Sequence, residues 1–331
     1  QRTPRDNYNV RGDQNSSFLV CASCVAEHCS GKARMPRVSV IIPAYNSMQW
    51  VSAAIDSVLN QGYRDYEVVV IDDGSTDQTA DVLESYGRKI RCIYQANAGV
   101  SNARNRGLSV STGEFIAYLD ADDMWYSQKL ECQIAFLDAH PQCGLVHSDV
   151  TVIDEQEKVI RARFNVETAR PVPSGYCLQD LLRRCHIQVP SVIERRECIE
   201  EVGGFDEQFM ATEDYLHWIM VSLKGWEFGY INEPLAKYRW RGGSVSSNKR
   251  LFLEEYGKMF GVLLPALYEN RPQAPDLVII RKRFLQVERE LAYMDCIEGH
   301  LSSARQRLMR LIQRAPFRYN LYWDLAKTYL R

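Results

Sequence analysis

Short apolar runs alternate with amphipathic segments along the first third of the chain. The runs at 38–42, 68–71, 90–94 and 115–119 are rich in β-branched and aromatic residues, which is typical of buried strands. The segments between them carry apolar residues at helical spacing. Three strand–loop–helix units in succession predict a parallel sheet with right-handed crossovers, and the loops after its strands should lie along one edge.

The alternation continues less regularly up to residue 250. A further strand is predicted over 144–148. Residues 189–193 are apolar and include Pro190, so we expect an edge strand there, where a missing backbone N–H is tolerated. A helix is predicted to begin just after Thr212, because threonine is a favoured cap residue.

The character of the sequence divides the chain into three parts. Residues 1–35 are polar and lack periodicity, which predicts a flexible N-terminal arm. Residues 36–250 carry the α/β pattern and predict the main domain. Residues 251–331 predict a small all-α region, with spacings that resemble one degenerate tetratricopeptide unit. A single unit cannot bury its apolar face alone, so this region should pack on the main domain or on another chain.

The N-terminal arm holds four side chains that zinc can bind, namely Cys21, Cys24, His28 and Cys29. A structural zinc site needs four ligands that converge tetrahedrally. Because neighbours such as His28 and Cys29 rarely both reach one ion, we favour incidental thiols and keep zinc as the alternative. The ten cysteines of the chain are scattered through apolar segments, which suits reduced thiols better than a disulfide framework.

Composition limits the class of protein. The chain of 331 residues is 46% hydrophobic and 25% charged, as in soluble globular proteins, and its net charge of −2 argues against nucleic acid as the main partner. It has no run of 18 apolar residues and no visible secretory signal, so we expect a cytoplasmic protein. Residues 301–331 carry seven Lys or Arg against one Asp. The alternative is therefore a protein that binds peripherally to the inner membrane face, or to another protein, through residues 251–331.

Three carboxylates follow the fourth predicted strand within four positions: Asp120, Asp122 and Asp123. Like charges this close raise each other's pKa unless a cation neutralises them. The free end of a strand is also where a doubly wound sheet places its ligand groups. We therefore predict that Asp120 and Asp122 hold Mg²⁺ or Mn²⁺, which prefer oxygen ligands and often share their shell with phosphates. An acidic helix cap is the alternative.

The three earlier strands of the predicted sheet also end in polar loops. The first loop offers the ring of Tyr45, the second offers the carboxylates Asp72 and Asp73, and the third leads to Arg104. A base, a ribose and a diphosphate would find partners among these groups, with the planar donor fork of Arg104 suited to phosphate oxygens. For any one loop alone we favour ordinary turn chemistry, but four such loops in succession favour a nucleotide site.

Taken in order, these loops resemble the motifs of the family 2 glycosyltransferases, which are inverting enzymes that use nucleotide sugars. The resemblance covers roughly residues 36–245 and implies a GT-A fold, a Rossmann-like mixed sheet flanked by helices. It favours a UDP-sugar donor, with a saccharide, a lipid-linked saccharide or a peptide as acceptor. The matching segments are Val40–Asn46, Asp72–Asp77, Asn102–Asn105 and Asp120–Asp122.

The resemblance also implies roles for particular residues. Asp214, with Glu213 beside it, matches the pair that supplies the catalytic base. Asp122 and Asp120 are implied as metal ligands. The implied nucleotide-sugar site consists of Pro43, Ala44, Tyr45, Asn46, Asp72, Asp73, Arg104, Asp120, Ala121 and Asp122.

A few aromatic and basic residues are candidates for the acceptor side. Trp125 follows the carboxylates, and Arg239 with Trp240 lies in a basic loop that we expect near the site. Processive relatives carry Gln-x-x-Arg-Trp, whereas Ala236 stands here in the place of Gln. This departure predicts transfer of one or a few sugars.

Two other classes of function stay open. A nucleotidyltransferase shares the sheet architecture, but it would want a Gly-rich phosphate loop and a Lys after the first strand, which Pro43–Asn46 does not offer. A non-catalytic module that binds protein through its helical tail would not need intact Asp120, Asp122 and Asp214. A homo-oligomer is compatible with either class.

Overall fold

The structure is a computed structural model. It describes residues 35–167, 172–242, 245, 248–269 and 274–329. Residues 1–34 of the predicted N-terminal arm, including the possible zinc ligands Cys21, Cys24, His28 and Cys29, lie outside the described residues.

A nine-stranded mixed sheet organises the described part of the chain. The strand order is β3-β2-β1-β4-β8-β6-β9-β5, with β7 paired to β6. The neighbours from β3 to β4 are parallel, as predicted, while β8 is antiparallel to both of its neighbours and makes the sheet mixed. The strands are β1 Val38–Ala44, β2 Tyr66–Asp72, β3 Arg91–Tyr94, β4 Phe115–Tyr118, β5 Met124–Trp125, β6 Cys143–Ile153, β7 Val159–Arg161, β8 Ile193–Arg195 and β9 Glu227–Arg239.

Helices cover both faces of this sheet. They are α1 Val51–Leu59, α2 Thr79–Ser85, α3 Val100–Val110, α4 Lys129–Ala139, α5 Phe164–Glu167, α6 Leu178–Arg183, α7 Arg196–Val202 and α8 Glu213–Leu223. Val40 and Ile42 pack with α1 and α4, whereas Ile41 packs in the cluster that contains Trp218 of α8. Successive strand residues point to opposite faces, so burial on both faces explains why these strands are continuous apolar runs.

A glycine lets α3 approach the sheet closely. A Cβ atom at Gly107 would lie 2.5 Å from Cγ2 of Ile41, which is far inside van der Waals contact. Because α3 lies this near β1, the side chain of Arg104 on the same helix reaches the end of β4. The close packing therefore serves to place a charged group at the edge of the sheet.

Four further helices follow β9. They are α9 Lys249–Glu269, α10 Ala274–Ile297, α11 Leu301–Arg314 and α12 Tyr319–Lys327. Leu263 of α9 and Leu291 of α10 belong to the same buried cluster as Leu181 and Trp218, so these two helices pack on the α/β domain. A smaller cluster joins α10, α11 and α12. The resemblance to a tetratricopeptide unit stays a prediction.

Part of the positive charge near the C-terminus is paired within the chain. Arg307 forms ion pairs with Glu288 and Asp295, and Arg289 pairs with Asp324. Within the described residues, no helix has both the length and the hydropathy to cross a bilayer.

One local prediction was wrong, and another was confirmed in position only. Residues 189–193 do not form one edge strand: Val189–Ser191 is a 3-10 turn, and the strand β8 follows it in the interior of the sheet, between β4 and β6. Pro190 lacks the N–H that a central strand must donate, so it begins a turn instead. The helix predicted to begin just after Thr212 is confirmed, since α8 begins at Glu213, although the Thr212 hydroxyl makes no capping hydrogen bond.

Candidate active site

A cleft of about 440 Å³ opens at the carboxyl ends of β1 and β4. These strands are adjacent and parallel, so the loops that follow them emerge at the same edge of the sheet. The first turn of α8 closes the cleft on another side. The predicted residues that line it are Pro43, Tyr45, Arg104, Asp120, Ala121, Asp122, Glu213, Asp214 and Arg239.

Arg104 joins the two acidic motifs of the cleft. Its Nη2 donates to Oδ1 of Asp120 at 2.7 Å, and its Nη1 donates to Oε1 of Glu213 at 2.7 Å. The guanidinium is buried and lies 5.3 Å from the ring centre of Phe205. Burial acts to lower the pKa of Arg104, but the charges of Asp120 and Glu213 outweigh it and hold that pKa above its ordinary value. Arg104 is therefore a fixed cation that sets the separation of both carboxylates.

Replacement of Arg104 tests this bridge. Arg104→Met should lower the free energy of unfolding by about 3 kcal/mol, because Glu213 would become an unpaired buried carboxylate. This loss of stability is near the low end of the range for broken buried ion pairs, because the side chain of Asp120 is 29% exposed. Urea denaturation followed by circular dichroism measures it. Arg106→Met, at an exposed position of the same helix, should cost less than about 0.5 kcal/mol. Equal losses for the two variants would contradict the bridge.

The carboxylates after β4 carry more negative charge than their surroundings neutralise. Oδ2 of Asp122 accepts a hydrogen bond from Nε of Arg241 at 2.8 Å, yet burial and the charge of Asp120 still raise the pKa of Asp122. Asp123 is buried behind them; its Oδ1 accepts from the backbone N–H of Arg239 at 2.7 Å, and its Oδ2 has no hydrogen-bond partner among the described residues. Burial and the two neighbouring carboxylates raise the pKa of Asp123 well above its usual range.

This donor set fits a divalent cation that shares its shell with a diphosphate. Asp120 and Asp122 both line the cleft, and a cation between them would relieve the repulsion that raises the pKa of Asp122. In the part of the chain that is described, no group of three or more His, Cys, Asp or Glu side chains could hold a metal ion. Mg²⁺ typically uses one or two carboxylates and takes its other ligands from phosphates and water, so two carboxylates suffice.

Asp214 is a half-buried carboxyl in the first turn of α8. Its Oδ1 accepts from the backbone N–H of Tyr215 at 2.7 Å. Burial, with the charge of Glu213 adding to it, raises the pKa of Asp214 to about 7, although Arg104 acts to lower it. A carboxyl that gains and loses its proton near neutral pH suits general base catalysis. Glu213 differs, since its Oε1 is bound to Arg104.

Asp72 and Asp73 do not belong to the residues that line this cleft. Asp73 is buried, and its carboxylate accepts from the backbone N–H groups of Ala98 at 2.9 Å and Gly99 at 2.8 Å. These contacts fix the loop that leads into α3. Oδ1 of Asp72 accepts from the backbone N–H of Ser75 at 2.9 Å. In this structure both carboxylates shape loops beside the cleft.

Ala44 and Asn46 likewise join neighbouring loops. The carbonyl of Ala44 accepts from the backbone N–H of Asp73 at 2.8 Å. Asn46 has a positive φ of 46°, and its Oδ1 accepts from the backbone N–H of Thr76 at 2.8 Å. Together they hold the loop after β1 against the loop after β2, with the ring of Tyr45 exposed between them.

The three acceptor candidates occupy different places. Trp125 is in the core, where its Nε1 donates to the carbonyl of Pro190 at 2.8 Å, and it is not among the residues that line the cleft. Arg239 is buried as well; its Nε donates to the carbonyl of Asp122 at 2.8 Å and thereby supports the acidic loop. Trp240 is exposed and lies outside the residues that line the cleft.

Sequence reasoning missed one wall of the cleft. It is built by segments far apart in the chain, and the missed residues include Ile187, Gln188, Val189, Pro190, Met210, Ala211 and Phe252. Most of them are apolar and carry no motif, so nothing in the sequence separates them from core residues. Gln188 is different, because its Oε1 is buried without a hydrogen-bond partner among the described residues and can accept from a substrate hydroxyl.

Comparison with known proteins places this cleft in a family. Residues 39–191 match the family described as Glycosyl transferase family 2. WfgD of Escherichia coli, named as a UDP-Glc:α-D-GlcNAc-diphosphoundecaprenol β-1,3-glucosyltransferase, is 34% identical over 64% of this chain and 80% of its own. An uncharacterized glycosyltransferase of Rickettsia bellii is 33% identical over 64% of this chain, and the match spans 30% of that relative.

Solved structures agree with the observed fold. S. aureus TarS 1–349 in complex with UDP-GlcNAc has a TM-score of 0.62 at 21% identity, with 88% of each chain covered. The mannosyltransferase PcManGT from Pyrobaculum calidifontis, in complex with GDP-Man and Mn²⁺, has a TM-score of 0.59 at 19% identity, covering 86% of this chain and 76% of its own. These likenesses confirm the predicted GT-A fold.

The fold is a mixed GT-A sheet, as the sequence predicted, and the relatives described above are named as glycosyltransferases. The chain belongs to glycosyl transferase family 2. The match to the Rickettsia bellii protein covers less than a third of that relative, so it concerns only one part of a longer protein.

Proposed function

We propose that the protein is a metal-dependent, inverting glycosyltransferase that moves one sugar at a time from a nucleotide-diphosphate sugar to an acceptor. The observation that carries this proposal is the meeting of three motifs in one cleft: Asp120 and Asp122 after β4, Arg104 on α3, and Asp214 on α8. Residues up to 119 positions apart are joined there by hydrogen bonds, which core packing alone would not require.

The reaction would be a single displacement. Asp214 takes the proton from the acceptor nucleophile, which attacks the anomeric carbon on the face opposite the diphosphate. The bond from that carbon to the diphosphate oxygen breaks as the new bond forms, so the configuration inverts. A bound Mg²⁺ or Mn²⁺, held by Asp122 and Asp120, would offset the negative charge that develops on the departing diphosphate. Arg104 keeps Asp120 and Glu213 in place during these changes.

A UDP-sugar is the favoured donor. The support comes from the resemblance of the motifs, from the UDP-GlcNAc in the TarS structure and from the UDP-Glc in the name of WfgD. The GDP-Man in PcManGT makes a guanosine nucleotide the alternative.

A hydrolysis screen across nucleotide sugars with Mn²⁺ tests the proposal: a glycosyltransferase releases a nucleoside diphosphate. Release of pyrophosphate from a nucleoside triphosphate and a sugar phosphate would instead indicate a nucleotidyltransferase.

The raised pKa of Asp214 predicts how activity depends on pH. A base acts when it has lost its proton, and the pKa of this carboxyl is about 7. kcat/KM should therefore rise about tenfold per pH unit below that value and level off above it. An ordinary aspartate would give a flat profile down to about pH 4. Initial rates from pH 5 to 8.5 measure the profile, and a flat one across this range would contradict the assignment.

A further inference from the structure

Three guanidinium groups lie around the acidic cleft, and they are held very differently. The side chain of Arg104 is 3% exposed and is bound to two carboxylates. The side chain of Arg239 is 0% exposed, and its guanidinium donates to backbone carbonyls and lies 4.4 Å from the ring centre of Trp50. The side chain of Arg241 is 41% exposed and pairs with Asp122. Of these three, Arg241 is therefore the one whose pairing can change without opening the core.

The contact of Arg241 uses an atom that a metal would need. Its Nε donates to Oδ2 of Asp122 at 2.8 Å, and Asp122 is one of the two carboxylates suited to a divalent cation. A cation on this carboxylate competes with the guanidinium for its negative charge and repels it, because both groups are positive and would lie within a few ångströms of each other. Arg241 also lines the cleft together with Asp120 and Asp122, so a diphosphate that shares a cation with these carboxylates would come near its guanidinium.

We propose that Arg241 exchanges partners during the reaction cycle: it pairs with Asp122 in the free protein, leaves when the divalent cation binds, and then donates to the diphosphate of the donor. This inference rests on the proposed function. The charges favour the exchange in this order. Without substrate, Arg241 offsets the excess negative charge of the acidic loop. Once the cation is bound, the cation offsets that charge, and Arg241 can pair with the negatively charged diphosphate instead. The planar fork of arginine matches two phosphate oxygens.

The exchange predicts opposite effects on two ligands. Arg241→Gln should bind Mn²⁺ alone about 2- to 5-fold more tightly, because an exposed ion pair no longer competes. The same variant should bind UDP together with Mn²⁺ about 10-fold or more weakly, because a charged hydrogen bond to the diphosphate is lost. Electron paramagnetic resonance of free Mn²⁺ measures the first affinity, and isothermal titration calorimetry measures the second, with GDP in parallel. Arg88→Gln, an exposed arginine on the 87–89 turn, should change neither.

A double-mutant cycle separates partner exchange from a general effect of charge. In the presence of a chelator, Asp122→Asn should bind UDP more tightly than the wild type, because Arg241 is released without a metal. The variant Asp122→Asn with Arg241→Gln should lose this gain. The melting temperature of each variant checks that it folds. If the double variant kept the gain, the effect would come from the lost carboxylate alone and the exchange would be excluded.

The outcomes also separate this inference from the proposed function. If the wild type binds neither UDP nor GDP with Mn²⁺, the proposed function fails and the exchange fails with it. If the wild type binds one of them and Arg241→Gln leaves both the Mn²⁺ and the nucleotide affinities unchanged, only the exchange is overturned. Tighter Mn²⁺ binding together with weaker nucleotide binding supports it.

Discussion

Asp214→Asn should reduce turnover by ~10²–10⁴-fold and leave the affinity for nucleoside diphosphate nearly unchanged. Asparagine has the same size as aspartate, and its Oδ1 can still accept from the backbone N–H of Tyr215, so the first turn of α8 keeps its geometry. What it lacks is the ability to take a proton from the acceptor. Initial rates at saturating donor and acceptor, with calorimetry for the nucleotide, measure the two quantities.

The neighbouring carboxylate provides the matched control. Glu213→Gln also removes one negative charge from α8, but it weakens the contact with Arg104 and leaves the proposed base in place. It should therefore lower the free energy of unfolding and keep the rise of activity with pH, whereas Asp214→Asn should lose that rise. Unchanged turnover in Asp214→Asn would exclude Asp214 as the base. If Glu213→Gln lost more turnover than Asp214→Asn, Glu213 would be the base instead.

Much of the fold could be predicted because parallel strands buried on both faces leave a plain signal. The four apolar runs between 38 and 119 became β1 to β4, and no strand end differs from its predicted position by more than two residues. Parallel strands place the loops that follow them at one edge of the sheet, as predicted, and β1 and β4 are neighbours there. The cleft residues Tyr45, Asp120 and Asp122 could be found for that reason.

The remaining parts of the site depend on contacts that have no local signature. Trp125 looks like a platform because it follows the carboxylates, but the distant carbonyl of Pro190 draws its indole N–H into the core. Asp73 looks like a nucleotide ligand, and its oxygens turn out to bind the backbone before α3. Met210 and Phe252 come from segments that only tertiary packing brings to the cleft. The order of the motifs in the sequence predicts which loops lie together. Which side-chain atoms already form hydrogen bonds within the protein can be seen only in the folded structure.

Asp122→Asn should abolish metal-dependent transfer almost completely, with the loss appearing in nucleotide binding as well as in turnover. The variant keeps the size of the side chain but removes the charge that a hard divalent cation prefers. Since burial and Asp120 already raise the pKa of Asp122, the wild-type site gains stability whenever a cation is present. Added Mn²⁺ should thus raise the melting temperature of the wild type in the presence of UDP, and it should leave that of Asp122→Asn with UDP unchanged.

Chelation tests the same claim without a mutation. With excess EDTA the wild type should lose transfer and bind nucleoside diphosphate more weakly, and added Mn²⁺ or Mg²⁺ should restore both, because Asp120 and Asp122 then share the cation with the phosphates. Asp123 offers a control of a different kind: it is buried behind the loop and bonds to the backbone of Arg239, so Asp123→Asn should alter stability more than the metal response. Full activity in chelator would show that charge on the departing diphosphate is offset by Arg104 and Arg241 alone, and the acidic loop would then need another role.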